Sequence, residues 1–145
     1  MESGALRARL IAETRDWIGT PYLHRASCKG HGADCLGLVR GVWREVLGAE
    51  PQHLPPYAPD WAQASRTEQM LEAAGRHMSP VAPGDLTPGD VLLFRWRDHL
   101  PARHAAILVS ADRMVHAHDG AAVAEVFFAP WWRRHLAGAF AFPGV

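Results

Sequence analysis

A chain of 145 residues with 48% hydrophobic side chains suits one domain built around a single core, residues 1–145. Its 15 basic and 15 acidic residues balance, which argues against the global field of a nucleic-acid or anionic-membrane binder. No apolar run is long enough to insert in a bilayer, residues 1–9 carry no hydrophobic signal core, and two cysteines, Cys28 and Cys35, are too few for a disulfide framework.

In chain order, Ala5 to Trp17 predicts a first helix, with Leu6, Leu10, Ile11 and Ile18 along one stripe. Gly19-Thr20-Pro21 stops it and opens a loop carrying Tyr22 and His24. A second helix runs from about Cys35 to Leu47, with Cys35, Leu38, Val39, Val42, Trp43, Val46 and Leu47 at spacings of three and four, and Gly48 closes it. Prolines 51, 55, 56 and 59 preclude long regular structure over residues 49–60. A third helix is expected over about Trp61 to Gly75, and a Pro- and Gly-punctuated stretch from Pro80 to Asp90 leads into strands. These are Val91–Arg95, His104–Val109, Arg113–His116, Val123–Phe127 and Ala137–Phe142, with a helical turn at Pro130–Arg134. Helices followed by an antiparallel meander make an α+β domain, without a repeat or internal boundary.

The chemistry is expected at Cys35. A cysteine in the first turn of a helix meets unpaired backbone N–H groups and the positive end of the helix dipole, which favour thiolate and mark a nucleophile. A thiol also needs a base and a group that aims the base. His104 begins one strand and His116 ends the next, and the tight connection at 110–112 sets them side by side. If the Cys35 helix packs across that sheet, a Cys–His–His triad follows.

The segments Gly19-Thr20-Pro21-Tyr22, Gly32-Ala33-Asp34-Cys35-Leu36-Gly37-Leu38-Val39, Pro88-Gly89-Asp90-Val91-Leu92-Leu93-Phe94, His104-Ala105-Ala106-Ile107-Leu108-Val109 and Met114-Val115-His116-Ala117 closely resemble, in order and spacing, the NlpC-type cell-wall cysteine peptidases. Trp43-Arg44-Glu45 and Ala137-Gly138-Ala139-Phe140 resemble in particular the subgroup carried by tails of phages and gene transfer agents. The resemblance implies a minimal papain-like fold, N-terminal helices packed on a C-terminal antiparallel sheet. It also implies hydrolysis of peptidoglycan stem-peptide amide bonds, the γ-D-glutamyl–diamino acid bond above all. Carried over by residue, Cys35 is the nucleophile, His104 the general base and His116 the third polar member. Tyr22 matches an oxyanion-site tyrosine and Asp34 an acidic position that in some members binds the substrate's free amine. Many members have Ser where this chain has Leu36, a departure that bears on substrate preference more than on chemistry. No cofactor is implied. The implied partners are the stem peptide and phage-tail hub or tip proteins. The lack of a signal segment fits cytoplasmic synthesis and delivery in a tail or particle.

Blander readings stand beside these. Asp34 is also a natural N-cap for the second helix. Cys28, His31 and Cys35 are chemically able to bind zinc, but their spacing matches no common structural site, and Cys28 reads as a loop thiol. Of Trp131, Trp132, Arg133 and Arg134, one tryptophan is expected to pack under the sheet while the arginines are solvated. Residues 49–88, with Tyr57 and Trp61, are candidates for a roof over the cleft. The rival functions are an acyltransferase or amidase on the same fold and an inactive structural tail subunit.

Overall fold

A computed structural model describes residues 3–51 and 68–145. Helix α1 spans Ser3–Asp16 and α2 spans Cys35–Leu47, with the two-residue strands β1 (Ser27–Cys28) and β2 (Gly32–Ala33) between them. Helix α3 (Gln69–His77) leads into β3 (Ser79–Val81), and β4 (Val91–Phe94), β5 (His104–Ser110), β6 (Arg113–His116) and β7 (Ala124–Phe127) follow. The short helix α4 (Pro130–Arg134) precedes the last strand, β8 (Leu136–Ala141). The expected α+β architecture is observed. The expected third helix ends at His77 rather than Gly75; residues 61–67 of it lie outside the described residues, as do prolines 55, 56 and 59, Tyr57 and Trp61.

Strands β4 to β7 form the expected meander, but the sheet order is β3-β8-β4-β5-β6-β7. The chain therefore returns at its end to pair β8 with β4, and β3 adds to the outer side of β8. Strand β3 lies in the stretch expected to be irregular. It contains Pro80, which an edge strand accommodates because one side of its backbone need not donate to a ladder.

The central strands are covered on both faces, which is why β4 and all of β5 up to Val109 are buried. Val91, Leu93, Ala105, Ile107, Val109 and Val115 face α1 and α2, while Leu92, Phe94, Ala106, Leu108 and Met114 face Phe128 and Trp132. Leu10, Leu38 and Val42 are fully buried, each worth about 2 kcal/mol of transfer free energy. The α1–α2 contact depends on Gly41, because a Cβ there would lie 2.1 Å from the ring of the wholly buried Trp17. Trp17 in turn donates its indole N–H to Glu13, 2.9 Å away, which pairs with Lys29 at 2.6 Å. On the same side, Arg7 pairs with the fully buried Asp90 at 2.9 Å and ties α1 to the entrance of β4. No helix among the described residues is long and apolar enough to cross a membrane.

Candidate active site

Cys35 is the first residue of α2, and the loop before it is built to hold that helix end. Asp34 is the N-cap: its Oδ1 accepts from Gly37 N–H at 2.7 Å. Its Oδ2 accepts from Arg25 N–H at 2.7 Å, at a non-glycine residue with φ of +64°. Ser27 donates to the Gly37 carbonyl at 2.6 Å, and Arg44 donates to the Ser27 carbonyl at 2.7 Å, clamping β1 to α2. Gly37 is required sterically, since a Cβ would sit 1.8 Å from the Ala26 carbonyl oxygen. With 3% exposure and both oxygens engaged, Asp34 has the geometry of a cap.

Tyr22 is drawn to the same place. It forms a bridge with Ala33, while Ala33 N–H donates to the Pro21 carbonyl and Leu23 N–H to the Ala33 carbonyl. The loop before it is pinned to the far side of the sheet by paired bonds between Gly19–Thr20 and Val123, both 2.8 Å. Burial, with the negative charges of Asp34 and an ionised Cys35 as smaller contributions, pushes the phenol up to about 12. Tyr22 therefore keeps its proton at neutral pH and can donate it in a hydrogen bond.

The histidine pair forms on β5 and β6. Ile107 pairs with Val115 and Leu108 with Met114, so one step further along the register His116 lies beside Ala106. His104 and His116 are thus diagonal neighbours on one face rather than directly opposed. Their rings meet with His104 Nε2 2.9 Å from His116 Nδ1, and the residues are 4% and 7% exposed. The bond has a chemical consequence: if His104 Nε2–H donates to His116 Nδ1, His104 Nδ1 is left with a lone pair, as a general base requires. Burial is the main cause holding both rings below the ordinary imidazole range, His116 at about 4 and His104 well down, so both are neutral at pH 7.

Two residues outside the expected set complete the walls. Trp96 and Trp132 stack on His104 at centroid distances of 5.4 and 5.7 Å, with interplanar angles of 26° and 28°. Trp96 is held by the loop that Glu68 anchors, its carboxylate accepting from Arg95 Nη1 at 2.8 Å and Ala102 N–H at 3.0 Å. The signal for Trp132 was the tryptophan pair in Pro130–Arg134. Trp131 is exposed, as are Arg133 and Arg134, and the Arg133 guanidinium also lies over the Phe128 ring at 4.3 Å. His118 is the third addition, stacked on His116 at 5.7 Å.

Cys35 approaches this pair through the backbone. Helix α2 packs on β5, and the N–H groups of Ala105, Leu36 and Cys35 itself bear on the sulphur. Ala105 directly follows His104, so the thiol sits at the end of the strand that carries the base. Among the described residues, the hydrogen bonds include none from the sulphur to His104. The expectation of a resting thiolate is opposed by the surroundings of the half-buried Cys35. Burial, with the Asp34 carboxylate adding to it, pushes the Cys35 thiol up to about 12, outweighing the N–H groups that favour the anion. Burial thus favours the neutral form of both the His104 imidazole and the Cys35 thiol. On its Leu36 side lies an apolar cavity of about 110 Å³ bounded by Val39, Met70, Ala74 and Leu93. Cys28 is exposed, and among the described residues the histidines near enough to share a metal ion are 104, 116 and 118, not His31.

Comparison with known proteins agrees with this architecture. The chain is 28% identical over 130 residues to Gamma-DL-glutamyl hydrolase of Bacillus subtilis, covering 89% of this chain and 28% of that protein. It is equally identical to Murein DD-endopeptidase MepS/Murein LD-carboxypeptidase of Escherichia coli K12, of which it spans 59%. The chain thus corresponds to only part of the length of these relatives. Among solved structures, an NlpC/P60 family protein from Bacillus cereus superposes with a TM-score of 0.68 at 19% identity, over 94% of this chain and 40% of that one. The NlpC/p60 domain of peptidoglycan hydrolase SagA gives 0.67 at 21% identity, over 94% and 98%. The NlpC/P60 family model matches residues 19–141, which contain the Cys35 helix and both strands of the histidine pair, and the chain belongs to the NlpC/P60 family.

Proposed function

We propose that this chain, as a single peptidase domain, hydrolyses amide bonds in peptidoglycan stem peptides, with the γ-D-glutamyl–diamino acid bond as its preferred target. The observation that carries the proposal is the buried His104–His116 hydrogen bond, formed at the strand end where the Cys35 sulphur meets the Ala105 N–H. The names of the relatives, a γ-DL-glutamyl hydrolase and a murein endopeptidase, support the substrate class.

In this mechanism substrate binding brings the thiol and His104 Nδ1 into contact, which catalytic pairs often make only in the complex. His104 takes the proton as the sulphur attacks the carbonyl carbon. The Cys35 N–H and the Tyr22 hydroxyl hold the oxyanion. The C–N bond then breaks, His104 gives its proton to the departing amine, and water cleaves the thioester with His104 again as base. His116 holds the His104 ring and its tautomer. Asp34 fixes the helix end, and with both oxygens already accepting backbone N–H bonds its attraction for a substrate ammonium group acts through its charge and not through contact. No cofactor takes part. The similarity of the Trp43–Glu45 and Ala137–Phe140 segments to tail-borne enzymes supports a place in the tail of a phage or gene-transfer particle, docked on a hub or tip protein.

Digestion of diaminopimelate-type peptidoglycan with wild type and Cys35→Ala tests the proposal. Mass spectrometry should find stem-peptide fragments with a new diamino-acid N-terminus from the wild type alone. No fragments from a folded wild type would reject the endopeptidase. The apolar cavity beside Leu36 favours one rival, an acyltransferase or amidase. Transfer of an acyl group to a second acceptor would identify it.

A further inference from the structure

We propose that a divalent transition-metal ion of the Zn²⁺ class binds across the imidazoles of His104, His116 and His118 and holds the site inactive. One ring nitrogen from each histidine lies within 4.8 Å of the other two. A tetrahedral ion with Zn–N bonds of about 2.0–2.1 Å places its ligand nitrogens roughly 3.3 Å apart. His104 Nε2 and His116 Nδ1, at 2.9 Å, would part by about 0.4 Å and each ring would turn by roughly 35° to aim both nitrogens at a shared ion. His118 supplies the remaining movement. It is exposed, two residues beyond His116, and its ring already stacks on that of His116. Its exposure leaves the fourth position to water. This is the open three-histidine arrangement that zinc accepts readily.

Both imidazoles are buried, 4% and 7% exposed, so their nitrogens are held close together before an ion arrives. The positive charge of Arg103, which acts on His104, opposes the cation and sets a limit on affinity. The consequence for chemistry is a tautomer exchange. Ligation through Nε2 requires the His104 proton to reside on Nδ1, so the nitrogen that should receive the thiol proton no longer has a lone pair. That inhibitory half rests on His104 being the general base, whereas the binding half does not. The signal was present in the sequence as His116-x-His118, a spacing that puts both rings on one side of an extended strand.

Calorimetric titration of the metal-free chain with Zn²⁺ decides the binding half. The expected result is one ion per chain, binding weakened at least about tenfold in His118→Ala and unchanged in Cys35→Ala. Bound Co²⁺ should show a tetrahedral visible spectrum without a thiolate charge-transfer band. Equal affinity in His118→Ala, loss of binding in Cys35→Ala, or a thiolate band would each overturn the site. For the inhibitory half, Zn²⁺ should suppress peptidoglycan hydrolysis by wild type, with EDTA restoring it. His118→Ala, scored against its own metal-free rate, should need about tenfold more Zn²⁺. Undiminished hydrolysis by the zinc-bound chain would overturn inhibition. Failure of the metal-free chain to hydrolyse anything would instead reject the peptidase and the inhibitory half, with calorimetry still deciding the binding.

Discussion

Replacing Asp34 by alanine should weaken the fold and yet make Cys35 more reactive, and the opposed signs make the test informative. The carboxylate accepts two backbone N–H bonds of 2.7 Å, from Gly37 in the first turn of α2 and from Arg25 in the loop. Loss of an N-cap costs about 0.5–2 kcal/mol, and a hydrogen bond to a charged group is worth about 1.5–3. Relief of the buried charge's own desolvation offsets part of this, so about 3 kcal/mol is expected. In a chain of this size that lowers the melting temperature by about 9 °C. Asp34→Asn keeps one acceptor and turns an NH₂ group toward the other N–H, so it should fall between wild type and Asp34→Ala. The Asp34 charge also helps hold the Cys35 proton on, second only to burial. Its removal should speed alkylation of Cys35 by iodoacetamide at pH 7.5, followed by intact mass well below the melting transition. A melting temperature within 2 °C of wild type would refute the capping argument. Unchanged or slower alkylation of the folded variant would refute the electrostatic one.

Acid should destabilise the fold between pH 7 and 5. Burial lowers the His116 pKa from 6.5 to about 4, so stability is full above 6.5, where both states are neutral. As pH falls toward 4 the unfolded chain takes up a proton that the folded one refuses. At pH 5 this amounts to about 2 kcal/mol from His116, with His104 adding in the same direction; a urea midpoint equal at pH 7.5 and 5 would contradict it. Gly37→Ala, whose Cβ would overlap the Ala26 carbonyl, should cost about 3 kcal/mol or more. Gly75→Ala, in α3 with nothing within 4 Å, should stabilise by about 0.5–1 kcal/mol, and thermal melts of the two variants should shift in opposite directions. His116→Ala should lower turnover of peptidoglycan about 10²-fold and leave KM little changed, because positioning the base matters chiefly in the transition state. Wild-type turnover in that variant would require a different third member.

The parts of this fold legible in the sequence are those that local periodicity specifies. The apolar spacing from Cys35 to Leu47 places α2 to the residue, and the β5–β6 hairpin follows from two strands around a tight connection. Strand β3 escaped because three residues containing Pro80 carry no alternation of their own. They become a strand only because β8 passes beside them. The insertion of β8 between β3 and β4 is a long-range pairing, set by which faces bury each other rather than by any segment alone.

The same division explains why the sequence points to Cys35 and to the adjacent His104 and His116 as candidates, but not to the electrostatics around them. The helix dipole is a property of α2 itself, so it can be read from the position of Cys35 in the chain and points toward thiolate. Desolvation belongs to what packs around the sulphur, including β5 from some seventy residues away, and it acts in the opposite direction with greater strength. The histidines tell the same story: their diagonal contact follows from register, but the indoles of Trp96 and Trp132 that stack on His104 arrive from two further segments. Desolvation therefore favours the neutral forms of Cys35 and His104 at rest, and in the proposed mechanism their charges separate as substrate binds. In that mechanism the burden of activation falls on the bound complex, where Tyr22 and the Cys35 N–H would stabilise the oxyanion while His104 receives the proton in the same step. A pH–rate profile governed by a resting thiolate–imidazolium pair would be incompatible with that account. Because burial favours the neutral forms of both groups, kcat/KM should stay level from neutral pH to about pH 9, without a limb from a resting thiolate.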